Sequence, residues 1–252
     1  MKLKTRHNEN PFTDSFVLKE IKFYGISNYN KNSIKIETVP ILGRCDDYLN
    51  VNFRNGSISC PRFFINNKLW MSLTPMEIQS HYVPIKQAIG NISVGGLGMG
   101  YFLLKVMKKN NVKSIDVYEL EESVVNFFIE NFKHRKGFNK VNFIIGDIRE
   151  TMKNKIYDFV YMDIYAEMLS DLVISDKKLF LKNNKISNYH FWCQEKVFKF
   201  AYEYNLLPTI PLSIFQFFIQ WSESKGAKLK DNETSKQFVT KCLETFDQSF
   251  FL

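Results

Sequence analysis

The chain has 252 residues, 45% of them hydrophobic, enough to bury the core of one α/β domain with a small appendage. Its formal net charge is +8, but the lysines are spread out and no arginine–aromatic stripe appears, so a small-molecule partner is expected ahead of nucleic acid. No apolar run approaches the ~20 residues of a membrane span, and the start MKLKTRHNENPF lacks a leader's apolar core, so a cytoplasmic chain without membrane contact is expected.

Residues 1–73 read as a small β-rich domain. Short strands are predicted at 33–39, 48–53, 57–60 and 62–65. Arg54-Asn55-Gly56 and Asn66-Asn67 supply hairpin-turn chemistry between them. Such a domain packs on a neighbouring sheet or offers a homodimer contact.

Residues 74–252 carry a different rhythm. ISVGGLGMG (92–100) is an apolar strand running into a glycine turn, and 101–109 is an amphipathic helix. Glycines let a ligand approach the backbone, and a helix start offers unpaired N–H groups. The turn places glycines at 96, 98 and 100. A dinucleotide fingerprint requires one at 101, where Tyr101 stands, which turns the reading away from NAD.

The next predicted strand, 113–119, alternates Ile115 and Val117 and ends on Glu119, 119 − 96 = 23 positions after Gly96. An acid about 20 residues on suits a ribose diol, because a carboxylate accepts two hydrogen bonds. A solvated strand-end acid has the same look. Of Glu121 and Glu122, one favours the start of a helix at 123–133. A third strand, 141–145, leads into Gly146-Asp147 and a short helix at 148–154. Asp147 is equally an acceptor for a ligand's amino group and a helix N-cap. The fourth strand, 157–163, opens on Asp158 and closes on Asp163. This alternation predicts an α/β fold with a doubly wound, Rossmann-like, mostly parallel sheet.

Residues 176–187 are the most linker-like stretch. A helix is predicted at 188–204 with Phe191, Val197, Phe198 and Ala201 on its buried face, then late strands in 208–221 and a closing helix at 235–246. Cys45, Cys60, Cys193 and Cys242 form no C-x-x-C pair, so free thiols and no metal site are expected. No clustered acid–histidine spacing suggests a metal either. Trp192-Cys193-Gln194 lacks the proline that precedes the nucleophile of cytosine-C5 methyltransferases, and Cys193 reads as structural. The absence of N-P-P-Y or D-P-P-Y after the fourth strand disfavours methylation of exocyclic base amines.

VGGLGMG (94–100), VYELEESVV (117–125), GD (146–147) and YDFVYMD (157–163) together resemble the class I S-adenosylmethionine (SAM)-dependent methyltransferase superfamily. Val94 and the second acid at Glu121 are similar to its spermidine-synthase branch. The resemblance covers roughly residues 60–165. It implies SAM as cofactor, held by Gly95, Gly96, Gly98, Gly100, Glu119, Asp147, Ile148 and Asp163. Gly96 and Gly98 would line the methionine part, Glu119 the ribose and Asp147 the adenine. Asp163 would lie near the reacting centre, as base or orienting group for an acceptor, with Tyr165 as a further catalytic candidate and His81 and His190 behind it.

The branch pattern breaks at two places. D-x-x-D after the fourth strand has Ala166 where its second acid belongs, with Glu167 one residue late. Of the D-E…Y-x-E stretch before the glycine strand, only Glu77 matches. Ammonium groups need carboxylates to offset their desolvation, so polyamine chemistry loses ground. The expected activity is methyl transfer to an unidentified acceptor. Aminopropyl transfer from decarboxylated SAM, a non-catalytic SAM-fold binding or inhibitor module, and cleavage of SAM are the alternatives.

Overall fold

A threonine starts the first helix. In the computed structural model, which describes residues 10–41, 45–46, 48, 52–53, 58–167 and 170–203, Thr13 Oγ1 accepts the Phe16 N–H at 3.3 Å. Helix α1 (Asp14–Tyr24) then runs to Gly25, whose φ of 81° makes a left-handed helix end. Phe16, Val17, Glu20 and Tyr24 form its buried face.

Strands β1 (Asn28–Lys31) and β2 (Ile34–Ile41) follow, then the short antiparallel pair β3 (Cys45–Asp46) and β4 (Asn52–Phe53), then β5 (Ile58–Ile65) and β6 (Lys68–Ser72). β1, β2, β5 and β6 form one antiparallel sheet in the order β1-β2-β5-β6. Asn66 and Asn67 both take positive φ, 50° and 62°, the conformation of a tight hairpin turn. The separate strands predicted at 57–60 and 62–65 are one strand. Pro61 sits inside it, and its carbonyl accepts the Leu73 N–H at 2.9 Å.

Two short helices, α2 (Pro75–Ser80) and α3 (Tyr82–Gln87), lead into β7 (Gly90–Gly95) and α4 (Tyr101–Val106). Next come β8 (Val112–Glu119), α5 (Glu122–Phe132), β9 (Val141–Ile145), α6 (Ile148–Thr151), β10 (Ile156–Tyr157) and β11 (Phe159–Met162). The described chain closes with α7 (Leu172–Asn183), β12 (Lys185–Ile186), β13 (Tyr189–Phe191) and α8 (Gln194–Glu203).

Five parallel strands make the second sheet, in the order β13-β11-β7-β8-β9. Taken in chain order these are the fifth, fourth, first, second and third strands. The order reverses between β7 and β11, and ligands of open α/β sheets bind outside the carboxyl ends at such a switch point. The sheet centre reads as the sequence demands. All four residues of β11 and the last four of β7 are buried, as expected for parallel strands covered on both faces.

The two sheets share one core. Phe63 of β5 lies 5.4 Å from Phe127 of α5, ring centre to ring centre, and Tyr29 of β1 lies 4.9 Å from the same ring. Lys105 of α4 pairs with Glu20 of α1 at 2.6 Å. The hydrophobic cluster therefore runs across the boundary expected at 73/74.

Three further predicted elements differ. Residues 176–187 belong mostly to α7. Val173, Ile174, Lys177 and Phe180 bury one side of it, a pattern hidden among its lysines and asparagines. The helix predicted at 188–204 starts only at Gln194. Tyr189, His190 and Phe191 instead pair with β11 as the sheet's fifth strand, and Cys193, at φ 68°, separates the two elements. The strand predicted at 157–163 divides at Asp158, whose side chain accepts the Asn91 N–H at 2.7 Å. The turn at 54–56, the strands in 208–221 and the helix at 235–246 lie outside the described residues. Among the described residues no helix is long and apolar enough to cross a membrane.

Candidate functional site

β7 delivers the glycine turn to the switch point, where the protein packs closely on each of its glycines. A Cβ on Gly95 would overlap the Met162 sulfur, and one on Gly96 (φ 83°) would overlap the Asp163 carbonyl oxygen. A Cβ on Gly98 would lie 2.7 Å from the Met71 sulfur, and one on Gly100 (φ 80°) would overlap the Phe128 ring. Close approach is thus real, but the protein itself approaches: β11 on one side, β6 and α5 on the others.

The turn's donors are also largely spent. Gly96 N–H goes to Tyr118 O at 2.9 Å, and Gly100 N–H to Leu97 O at 2.8 Å. Leu97 N–H goes to Glu119 Oε2 at 2.8 Å, and Met99 N–H points to the Met71 sulfur at 3.2 Å. Four N–H groups of the turn are therefore taken by the protein itself, and the helix start at Tyr101 lies just beyond them.

The strand-end acids ring this turn. Glu119 ends β8 and accepts two backbone N–H groups, Leu97 on Oε2 and Glu121 on Oε1 at 3.0 Å. Each carboxylate oxygen accepts about two hydrogen bonds, so one place on each oxygen remains for a diol. Asp147 follows β9 and caps α6, its Oδ1 accepting the Arg149 N–H at 2.8 Å. Its side chain is 41% exposed, and Arg149 Nη1 also stands on Oδ1, at 3.7 Å. The cap and a ligand contact through Oδ2 are thus compatible. Ile148, buried, packs toward Gly95.

Arg149 grips Asp176 of α7 with two parallel hydrogen bonds, Nε to Oδ1 and Nη2 to Oδ2, both 2.8 Å. Asp176 is 5% exposed. No sequence signal marks this fork, because Asp176 lies in the linker-like stretch 176–187.

Asp163 directly follows β11 beside the glycine turn, its N–H on Gly95 O at 2.8 Å. Two groups reach its Oδ2: the Tyr161 hydroxyl at 3.3 Å and His81 Nε2 at 3.4 Å. His81 Nδ1 lies 2.7 Å from the Glu77 carbonyl and 3.6 Å from Glu77 Oε1. The sequence held one signal for this pair, the i,i+4 spacing of Glu77 and His81. Topology adds Asp163 from 82 positions further on. The result is an acid–histidine cluster that the sequence reading did not anticipate.

Burial opposes a charge on His81, but the hydrogen bond to Asp163 and the charge of Glu77 together outweigh it, holding the imidazole up at about 9. Burial pushes the Glu77 carboxyl up to about 7, against the pull of His81. Tyr101, Phe102 and Tyr161 box in the His81 ring, with ring centres 5.7, 6.0 and 5.6 Å away.

The remaining candidates sit apart from solvent. Tyr165 is buried, and burial, with Tyr189 and Asp176 nearby, holds its phenol far above the ordinary range. It suits donation, not proton removal. His190 lies between Gln87 Oε1 at 2.9 Å and Glu195 Oε1 at 3.1 Å, and Tyr48 donates to Glu195 Oε2 at 2.9 Å. Cys193 is buried, and burial raises its thiol well above the usual value, so it is no nucleophile.

No family model and no curated protein sequence matches the chain. Solved structures do. The chain is similar to the precorrin-8w decarboxylase of Methanobacterium thermoautotrophicum at 14% identity, covering 44% of this chain and 59% of that one, with a TM-score of 0.35. Against spermidine synthase from Thermotoga maritima the identity is 15%, the coverage 64% and 52%, and the TM-score 0.39. Against the CcbJ methyltransferase from Streptomyces caelestis the values are 14%, 44% and 48%, and 0.36. The chain thus spans half to three-fifths of the length of these structures. Its own sheet order, with a glycine turn after the first strand and an acid after the second, is that of a doubly wound, Rossmann-like α/β fold, as expected.

Proposed function

We propose that the carboxyl edge of the parallel sheet binds SAM and that the chain transfers its methyl group to a small-molecule acceptor beside Asp163. One observation carries this reading. Glu119, Asp147 and Asp163 stand at or just past the carboxyl ends of three parallel strands, near one glycine turn at the switch point, with acceptor capacity left on each carboxylate. Glu119 takes the ribose hydroxyls and Asp147 Oδ2 takes the adenine amino group. Gly95, Gly96, Gly98, Gly100 and Ile148 shape the floor beneath the methionine part. Methyl transfer from a sulfonium has a neutral leaving group, so the protein need only align the acceptor and remove its proton. Asp163, 23% exposed on its side chain, is the group placed to do so.

Aminopropyl transfer is the second reading, favoured by one feature. Ala166 removes the branch's second acid, but the fold brings buried Glu77 to the His81–Asp163 pair and so restores two carboxylates beside the reacting edge. A thermal-shift titration separates the two. Methyl transfer predicts stabilisation by SAM and S-adenosylhomocysteine, abolished in Asp147→Ala. Aminopropyl transfer predicts a larger shift with decarboxylated SAM. No shift with any of the three sinks both.

A further inference from the structure

We propose that Glu77, His81 and Asp163 form a site for one divalent first-row transition-metal ion, with zinc the best match. One donor atom from each lies within 4.8 Å of the others. Glu77 and His81 arrive from α2 and its C-terminal cap, and Asp163 from the end of β11.

The hydrogen bonding of His81 points to a cation. Nδ1 lies 2.7 Å from the Glu77 carbonyl, which only accepts, so Nδ1 carries a hydrogen. Metal-bound histidines characteristically donate their second nitrogen to a carbonyl or carboxylate in this way, which fixes the tautomer. Nε2 is the remaining nitrogen, on a side chain only 4% exposed, and it faces Asp163 Oδ2 at 3.4 Å. A cation stands between them: the proton of an imidazolium in the metal-free chain, or a metal ion that takes its place.

The spacing also suits a metal ion in the proton's place. A charge-assisted N–H···O bond closes to about 2.7–2.9 Å. Two ligands on a tetrahedral ion with bonds of about 2.1 Å stand about 3.4 Å apart. Charge is compatible: a divalent ion in place of the imidazolium proton would offset both carboxylates.

The donor set narrows the metal. One imidazole and two carboxylates suit zinc, manganese, iron(II) or cobalt(II). They exclude a soft copper(I) thiolate site and leave magnesium little use for the nitrogen. Glu77 is 9% exposed and His81 4%, but Asp163 is 23% exposed, so the fourth position opens toward the proposed acceptor space. Three protein ligands with an open position is the arrangement of a catalytic ion, to which an oxygen of water or of an acceptor adds. Tyr161, donating to Asp163 Oδ2 at 3.3 Å, steadies that ligand from outside.

The test uses the full chain, stripped with EDTA and desalted, titrated with zinc chloride by calorimetry and melted in parallel. The expected result is one ion per chain, a raised melting temperature, and an affinity at least about tenfold weaker in His81→Gln and Asp163→Asn. Cobalt chloride is expected to give a visible absorption band that zinc displaces. Far-UV circular dichroism establishes that each variant is folded. The proposal is overturned by folded wild-type protein that takes up no zinc at about 1 mM, or by equal uptake in both variants. S-adenosylhomocysteine is melted with the same samples. Zinc binding without it leaves this site standing and removes the cofactor reading, and the reverse result removes only the metal.

Discussion

His81 Nε2 faces Asp163 Oδ2 at 3.4 Å, joining the end of α2 to the end of β11 at the switch point of the sheet. The contact sets the electrostatics of the candidate reacting edge. In metal-free protein Asp163 helps hold His81 at about 9 against the opposing effect of burial. This folded value lies above the unfolded one, so the stabilisation is complete below about 6.5 and is lost as pH rises through about 9. Asp163→Asn removes the charge and keeps the shape. NMR titration of EDTA-treated protein is expected to show the His81 pKa falling in the variant, and an unchanged value contradicts the assignment.

Glu119 ties the glycine turn to the end of β8. Glu119→Ala leaves the Leu97 and Glu121 N–H groups without their charged acceptor, at a cost of about 2 kcal/mol. Glu119→Gln keeps an amide oxygen and costs less. Both are expected to lose the SAM-induced shift in melting temperature, because an amide accepts on one side only. Thermal melts with and without SAM check this, and a full SAM shift in Glu119→Ala removes the ribose role.

Gly96 and Gly100 respond to alanine in different ways. Both hold positive φ, and each added methyl meets the protein. Strain of about 1–3 kcal/mol is expected at each. Gly96→Ala presses on the Asp163 carbonyl and is expected to weaken S-adenosylhomocysteine binding as well as stability. Gly100→Ala presses on the Phe128 ring, buried in the core, and is expected to act mainly on stability, with a smaller loss of ligand affinity. Equal losses of ligand affinity in the two variants contradict this division.

The Arg149–Asp176 fork fastens α7 to α6 and so to the loop that carries Asp147. Breaking a fully buried pair costs about 3–5 kcal/mol, and Arg149 is a third exposed, so Asp176→Asn is expected to cost about 2 kcal/mol. Urea unfolding measures it. A change below about 0.5 kcal/mol places the pair among ordinary surface contacts.

The sequence showed the sheet better than the site. Strands of continuous or alternating apolar residues with acids at their ends are local signals, and 141–145 matches β9 residue for residue. α1 escaped notice, although Thr13 caps it and Phe16, Val17, Glu20 and Tyr24 mark a helical face. Tyr189, His190 and Phe191 of β13 are too few to show a period of their own, and only pairing with β11 makes them a strand. At the site, the glycines were found but their reason was not. Contacts with Met162, Asp163, Met71 and Phe128 join segments far apart in sequence. The Glu77–His81–Asp163 cluster was hidden for the same reason, since two of its members arrive on the far side of the glycine turn from the third.

The most direct measurement is a crystal structure of the chain with S-adenosylhomocysteine bound. The account predicts both ribose hydroxyls on the Glu119 carboxylate, the adenine amino group on Asp147 Oδ2, and the sulfur facing Asp163. S-adenosylhomocysteine bound away from the carboxyl edge of β7, β8 and β9, or an empty edge at saturating ligand, contradicts it.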